Sequence, residues 1–437
     1  MLFIVTGLSS AGKASLPLTA AVDASIPCKV KLWRSGIFWS VLSFVSGLGN
    51  LVCSSILAHN LNANKGEFGF SSSALDFVTF LGLPLTMFSM SVVHYIAYFR
   101  SKNDEPRLQG LLAGCQKLLF WATVGGSLLA IVVWVPLGHF FDFQKANLLL
   151  AVLICLLVSC WSGLGVALCQ GMAWFKRLAI IGVVAVGIRL LFAWVMTAKY
   201  PTAAMALSAT TVSLLANFIL FYWWKDIFRH PAQKISPWNR EFIQFLMVTG
   251  ATVGGSYFFT TGDSLVSKKY LVGATLDAYQ MASKFGRAIP QTVLPLLMVT
   301  FTSRSGSKET AAKTDQRILL SLYAAGLACG AAVLILFRQQ VLRLYLGHPN
   351  PQAAGMIVPF SITMVLIGLN QAVGMWSLAD RTFKIALLYG GLGLAYWTTL
   401  LLVGKTPSAL LLAMPIGAGV SFCVLCASWL AGRYRKT

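Results

Sequence analysis

The sequence is a succession of apolar runs, each about twenty residues long, and this pattern fixes the solvent before any motif is considered. A helix rises about 1.5 Å per residue, so about twenty apolar residues cross the hydrocarbon core of a bilayer. Such runs fall near 34–58, 74–98, 118–138, 146–170, 178–198 and 202–224, then near 241–266, 275–302, 316–337, 353–378, 384–403 and 408–431. Only 11% of residues are charged against 57% hydrophobic, where a soluble domain carries about 25% charged residues. Water cannot be the main solvent of such a surface. The expected fold is an all-α integral membrane protein with about twelve transmembrane helices in two pseudo-symmetric six-helix lobes.

The loops supply the orientation. The formal net charge is +21, and the basic residues are not spread evenly between alternate loops. Lys29, Lys31 and Arg34 precede the first run, Arg100, Lys102 and Arg107 follow the second, and Lys176 and Arg177 follow the fourth. Lys225, Arg229, Lys234 and Arg240 follow the sixth, Arg304, Lys308 and Arg317 the eighth, Arg381 and Lys384 the tenth, and Arg433, Arg435 and Lys436 the last. The opposite loops hold only Lys65, Lys145, Lys199, Lys268, Lys269, Arg338, Arg343 and Lys405. Basic loops stay in the cytoplasm, so both termini are expected there, with the chain a multi-pass protein of the cytoplasmic (inner) membrane. Cations dispersed in this way between spans speak for a membrane topology and not for nucleic acid.

The loop with Pro231 and Pro237 divides the chain: residues 1–28 form an N-terminal tail, 29–225 a first lobe, 226–240 a cytoplasmic linker and 241–437 a second lobe. In the tail, Gly7 to Ser15 approaches a phosphate-binding loop, but Ala14 stands where the Mg²⁺-holding hydroxyl belongs, and no α/β domain surrounds it. Cys423 and Cys426 are expected as small packing residues inside the last span. No metal, cofactor or catalytic constellation is expected, and the chain is read as a non-enzyme.

Polar groups inside the runs carry the functional reading, because a charge at the centre of a bilayer is costly and faces a cavity or a partner. Arg189 lies in the middle of the fifth run. In the eighth, Gln280, Lys284, Arg287 and Gln291 recur at helical spacing and share one stripe, which is expected to line a wet, cationic pathway. Asn370 and Gln371 form an amide pair in the tenth run, whereas Asn50 and Asn217 are expected to bond neighbouring helices. Asp263 is taken as the one acid within a span, structurally paired with Lys284 or engaged in ion coupling.

Two segments resemble the polysaccharide (O-antigen) flippases of the multidrug/oligosaccharidyl-lipid/polysaccharide exporter superfamily. One is Ile56-Leu57-Ala58-His59-Asn60-Leu61 with Phe68-Gly69-Phe70. The other runs from Gly262-Asp263-Ser264 to Ala278-Tyr279-Gln280-Met281-Ala282-Ser283-Lys284-Phe285-Gly286-Arg287. Each follows the first helix of its half, and Leu83-Pro84-Leu85 echoes Leu294-Pro295-Leu296, as an internal duplication would leave. The resemblance implies alternating access and a polyprenyl-diphosphate-linked glycan as substrate, moved within the lipid bilayer for surface polysaccharide biosynthesis alongside polysaccharide assembly proteins. Arg189, Lys284 and Arg287 would then meet the diphosphate, and Gln280, Gln291, Asn370 and Gln371 the sugar hydroxyls. A multidrug cation antiporter of the same superfamily, a peptidoglycan lipid-precursor flippase and a membrane polysaccharide polymerase or ligase are the other readings. The cationic spans disfavour the antiporter, the span count disfavours the precursor flippase, and the short outer loops disfavour the polymerase.

Overall fold

The computed structural model describes residues 32–60, 67–141, 146–197, 210–211, 240–306, 310–346 and 349–434. The expected tail at 1–28, nearly all of the sixth run and the linker up to residue 239 lie outside the described residues. What is described folds as helix: α1 (Leu32–Asn60), α2 (Glu67–Leu81), α3 (Leu83–Ser101), α4 (Glu105–Phe141), α5 (Ala146–Gly171), α6 (Phe175–Thr197), α7 (Arg240–Tyr270), α8 (Gly273–Gly306), α9 (Thr310–Leu336), α10 (Arg338–Leu346), α11 (Pro351–Ala379), α12 (Phe383–Val403) and α13 (Pro407–Tyr434). Eight of these helices are long and apolar enough to cross a membrane. The outer surface shows why lipid is the solvent: Trp194, Leu191, Leu336 and Leu402 are 61–72% exposed, whereas Ser73, Asp263, Gln280 and Asn370 are fully enclosed.

The second run is not the single helix expected over 74–98. It breaks at Gly82 into α2 and α3, bent by 50°. Pro84, in the first turn of α3, has no N–H to continue the helix of α2, and the chain restarts there. The loop expected to hold Arg338 and Arg343 is itself the short helix α10. In contrast, α8 continues as helix through both Pro290 and Pro295.

The two halves repeat one packing scheme. The first helix of each half packs along the fifth, α1 on α6 and α7 on α12, and the second along the fourth, α3 on α5 and α8 on α11. The turns repeat in detail. Trp174 N–H donates to Cys169 O, and Thr382 N–H to Ser377 O, at 2.8 Å in each case. Each turn passes through a left-handed residue, Ala173 (φ 55°) and Arg381 (φ 56°). An arginine at the end of the neighbouring helix binds each turn: Arg100 donates to Met172 O at 2.6 Å, and Arg304 forms an ion pair with Asp380. These paired turns stand the same 208 residues apart as Gly69 and Asp277, which touch each other across the middle of the molecule.

That middle is a seam where α2 and α3 of the first half face α8 of the second. Along it each residue meets its approximate counterpart in the other half. Gly69 N–H donates to Asp277 Oδ1 (2.7 Å), Ser72 Oγ–H to Gln280 Oε1 (3.2 Å), and Arg287 Nη1–H to Asp76 Oδ2 (2.7 Å). At the end where the chain enters α1 and leaves α13, His94 Nδ1 lies 2.8 Å from Ser305 Oγ. Helices related by an approximate two-fold axis, and meeting on it, produce this pairing.

Inside the second half, α7 and α12 touch backbone to backbone. A Cβ on Gly255 would stand 2.8 Å from Gly390 Cα, and one on Gly393 only 2.5 Å from Gly255 Cα. Small residues let membrane helices approach in this way. Gly255→Leu should therefore push α12 away and lower the thermal unfolding midpoint in detergent, an overpacking cost of ~1–3 kcal/mol or more. Gly391→Leu, where an added Cβ meets nothing within 4 Å, should leave the midpoint close to wild type.

Candidate substrate-binding cavity

Two cavities flank the seam and share Arg287 and Gln291. The larger, about 650 Å³, is walled by α1, α6, α8 and α9, with Asp76 of α2. Phe44, Leu48 and Val333, three of its lining residues, are also close to half exposed on the outer surface, so its wall is continuous with the lipid-facing side. The smaller, about 260 Å³, lies between α3, α7, α8 and α11.

Arg287 is the hinge of the arrangement. Its guanidinium bridges two carboxylates, Asp76 Oδ2 at 2.7 Å and Asp263 Oδ1 at 2.8 Å. The side chain of Asp263 is fully enclosed, while that of Asp76 keeps 16% exposure. Tyr279 O–H donates to the second oxygen of Asp263 at 3.1 Å. Two carboxylates on one guanidinium satisfy the fork geometry that arginine offers, and an enclosed carboxylate demands such a partner.

The expected pairing of Asp263 with Lys284 is thereby corrected. Lys284 lies one turn before Arg287 on the same helix and points elsewhere: its ammonium stands 5.8 Å over the ring of Phe68 and forms no ion pair among the described residues. Nor is Asp263 the one acid within a span. Asp76, inside the second run, is its equal partner on Arg287.

The remaining candidates separate into two groups. Arg189 reaches the larger cavity and donates to Asn50 Oδ1 at 2.9 Å. Gln291 lines both cavities, and Gln371 the smaller. Gln280 instead sits inside the seam and lines neither cavity. Its amide donates to Ser73 Oγ (3.2 Å), Ser264 Oγ (2.9 Å) and Ser267 Oγ (3.0 Å). Asn370 is likewise enclosed and donates to Ala418 O at 3.0 Å. The stripe on α8 thus divides by depth. Gln280 meets serines of α2 and α7, whereas Lys284, Arg287 and Gln291 meet open space.

The larger cavity is cationic and short of acceptors. Arg189, Lys284 and Arg287 face it with Asp76 as the acid among its lining residues. Arginine and lysine only donate, so the cavity presents donors in excess and suits an anionic ligand rich in oxygen.

No family model matches the chain, and no curated protein matches it in sequence. Solved structures do match in shape. A MATE transporter in complex with MaD3S superposes with a TM-score of 0.65 at 14% identity, covering 93% of this chain and 95% of that one. The fold is that of a MATE transporter. In its inward-facing conformation, a multidrug resistance MATE transporter of the MOP superfamily gives a TM-score of 0.65 at 14% identity, covering 92% of this chain and 98% of that one. A MOP superfamily transporter from Pyrococcus furiosus, whose binding pocket is described as having reversed polarity that suggests a different function, gives 0.63 at 14% identity, covering 93% and 96%. Twelve transmembrane helices in two lobes, the architecture expected from the hydropathy pattern, is the architecture of this fold. The chain is a multi-pass membrane protein with a transporter fold.

The triad predicts a clear stability signature. Arg287→Met leaves two carboxylates uncompensated and should cost ~3–5 kcal/mol, read as a large drop in the thermal midpoint. Adding Asp263→Asn and Asp76→Asn should restore most of that loss.

Proposed function

We propose that the chain is a flippase that translocates polyprenyl-diphosphate-linked oligosaccharide units across the cytoplasmic membrane by alternating access, for surface polysaccharide synthesis. The observation that carries this reading is the excess of positive charge around the larger cavity. Arg189, Lys284 and Arg287 line it with Asp76 as the acid among its lining residues, and the Lys284 ammonium lies over the ring of Phe68 and in no ion pair among the described residues. A diphosphate supplies the countercharge, and in a cavity shielded from water such pairs are strong. Gln291 and Gln371 offer amides to sugar hydroxyls, and the half-exposed apolar wall at Phe44, Leu48 and Val333 lets a polyprenyl tail remain in lipid while its head group occupies the cavity.

A multidrug cation antiporter would use the same fold, as the structural neighbours do. Its substrate needs free carboxylates. Asp76 and Asp263, the carboxylates beside the cavities, are both bound by Arg287, and this supports the anionic substrate. The basic loops support a cytoplasmic side for both termini, and the proposal takes residues 29–225 and 241–437 as the two lobes and 226–240 as their cytoplasmic linker.

In proteoliposomes, Lys284→Ala and Arg189→Ala should each reduce translocation of a fluorescent polyprenyl-diphosphate glycan at least tenfold, with the thermal midpoint within a few degrees of wild type. Flux of a lipophilic cation should not fall. Unchanged glycolipid flux in both variants, or a selective loss of cation flux, would refute the assignment.

A further inference from the structure

One polar contact of the seam lies remote from the cavity cations, and its hydrogen bonding fixes a protonation state. At the end where α1 begins and α13 finishes, His94 of α3 is 2% exposed and bridges the two halves. Its ring stacks on Phe245 of α7 with centroids 4.1 Å apart, and Nδ1 lies 2.8 Å from Ser305 Oγ of α8. Nε2 lies 3.3 Å from Arg381 Nη2, in the turn between α11 and α12. The guanidinium of Arg381 also lies over the rings of Tyr95 and Tyr98, at 5.9 and 5.6 Å.

Arginine has no acceptor and does not lose its proton. Nε2 must therefore accept from Arg381, which puts the single ring proton on Nδ1, where it donates to Ser305 Oγ. A second proton would turn Nε2 into a donor facing an obligate donor, and would set an imidazolium against a guanidinium. The other charged groups packed around the ring do not relieve this. Asp380 is taken by Arg304, Glu241 at the start of α7 is exposed, and the nearby Tyr95 and Tyr98 meet the Arg381 guanidinium with their rings. Arg381 is held there by a left-handed backbone (φ 56°), a conformation uncommon for a residue with a side chain.

The contact lies beneath the smaller cavity. Met90, Met298 and Met375 line that cavity. His94 follows Met90 by one helical turn, Ser305 follows Met298 by about two turns of α8, and Arg381 lies in the turn just past the end of α11, six residues after Met375. Parting His94 from Ser305 and Arg381 would open the cavity toward this end of the bundle.

We propose that His94 is a proton-binding site that couples this opening to pH: the closed latch holds the neutral ring, and the open latch admits the proton. Because only the open state takes the proton, acid favours opening. An imidazole released to water titrates near pH ~6.5, so the open-to-closed ratio should rise roughly tenfold between pH 7.5 and pH 5.5. The prediction needs no substrate, so it stands or falls separately from the glycolipid assignment.

The test uses the full chain in lipid nanodiscs, with its native cysteines replaced and spin labels at Arg107→Cys and Lys384→Cys, two exposed sites in opposite halves near this end. Electron–electron distance distributions should gain a longer component at pH 5.5. His94→Gln, whose amide accepts from Arg381 and donates to Ser305 at any pH, should abolish the response. Arg381→Gln, whose amide can rotate to accept from the imidazolium, should abolish it too and serves if His94→Gln does not fold. A wild type with no pH response, or a response that survives in a folded variant, overturns the proposal.

Discussion

One guanidinium organises the middle of this molecule. Arg287 joins α8 of the second half to Asp76 of the first and to Asp263 of α7, so one side chain connects both halves and borders both cavities. Its cost of burial is met by two carboxylates, and theirs by it. The serines around Gln280 extend the same logic along the seam, where Ser73 of the first half and Ser264 and Ser267 of the second enclose its amide. Between these enclosed groups and the cations that line the larger cavity runs the boundary between structure and site.

Much of this was legible in the sequence because the bilayer is a demanding solvent. Runs of about twenty apolar residues and the bias of the basic loops set the architecture before any contact was known. The stripe on α8 was legible too, since helical spacing places Lys284, Arg287 and Gln291 on one side. What the pattern does not hold is depth. Gln280 and Gln291 belong to one stripe, yet Gln280 is sealed by Ser73, Ser264 and Ser267, and Gln291 opens on two cavities. Periodicity reports direction from the helix axis and says nothing of what a neighbouring helix brings to meet it.

The partner of Asp263 was misjudged for a related reason. Lys284 and Arg287 both lie on α8 near that level, and the choice between them depends on the azimuth of α7 against α8. Asp76 carried a usable signal, a carboxylate inside an apolar run at nearly the duplication offset from Arg287. The break at Gly82 was marked as well, by the proline two residues later. His94 was not marked at all, since its role comes from Phe245, Ser305 and Arg381, three residues drawn from distant parts of the chain.

The near-equivalent pairs along the seam say something about ancestry. In a dimer of two identical six-helix chains, a residue on the symmetry axis must face its own copy. Aspartate would meet aspartate, and arginine would meet arginine. Such an interface can be built from serines or glycines but not from an ion pair lying on the axis. In the present chain the counterparts have diverged: Gly69 faces Asp277, Ser72 faces Gln280, and Asp76 faces Arg287. Duplication, here within one polypeptide, frees each side of the axis to mutate alone. The charge asymmetry at the centre is therefore something a symmetric forerunner had no means of encoding.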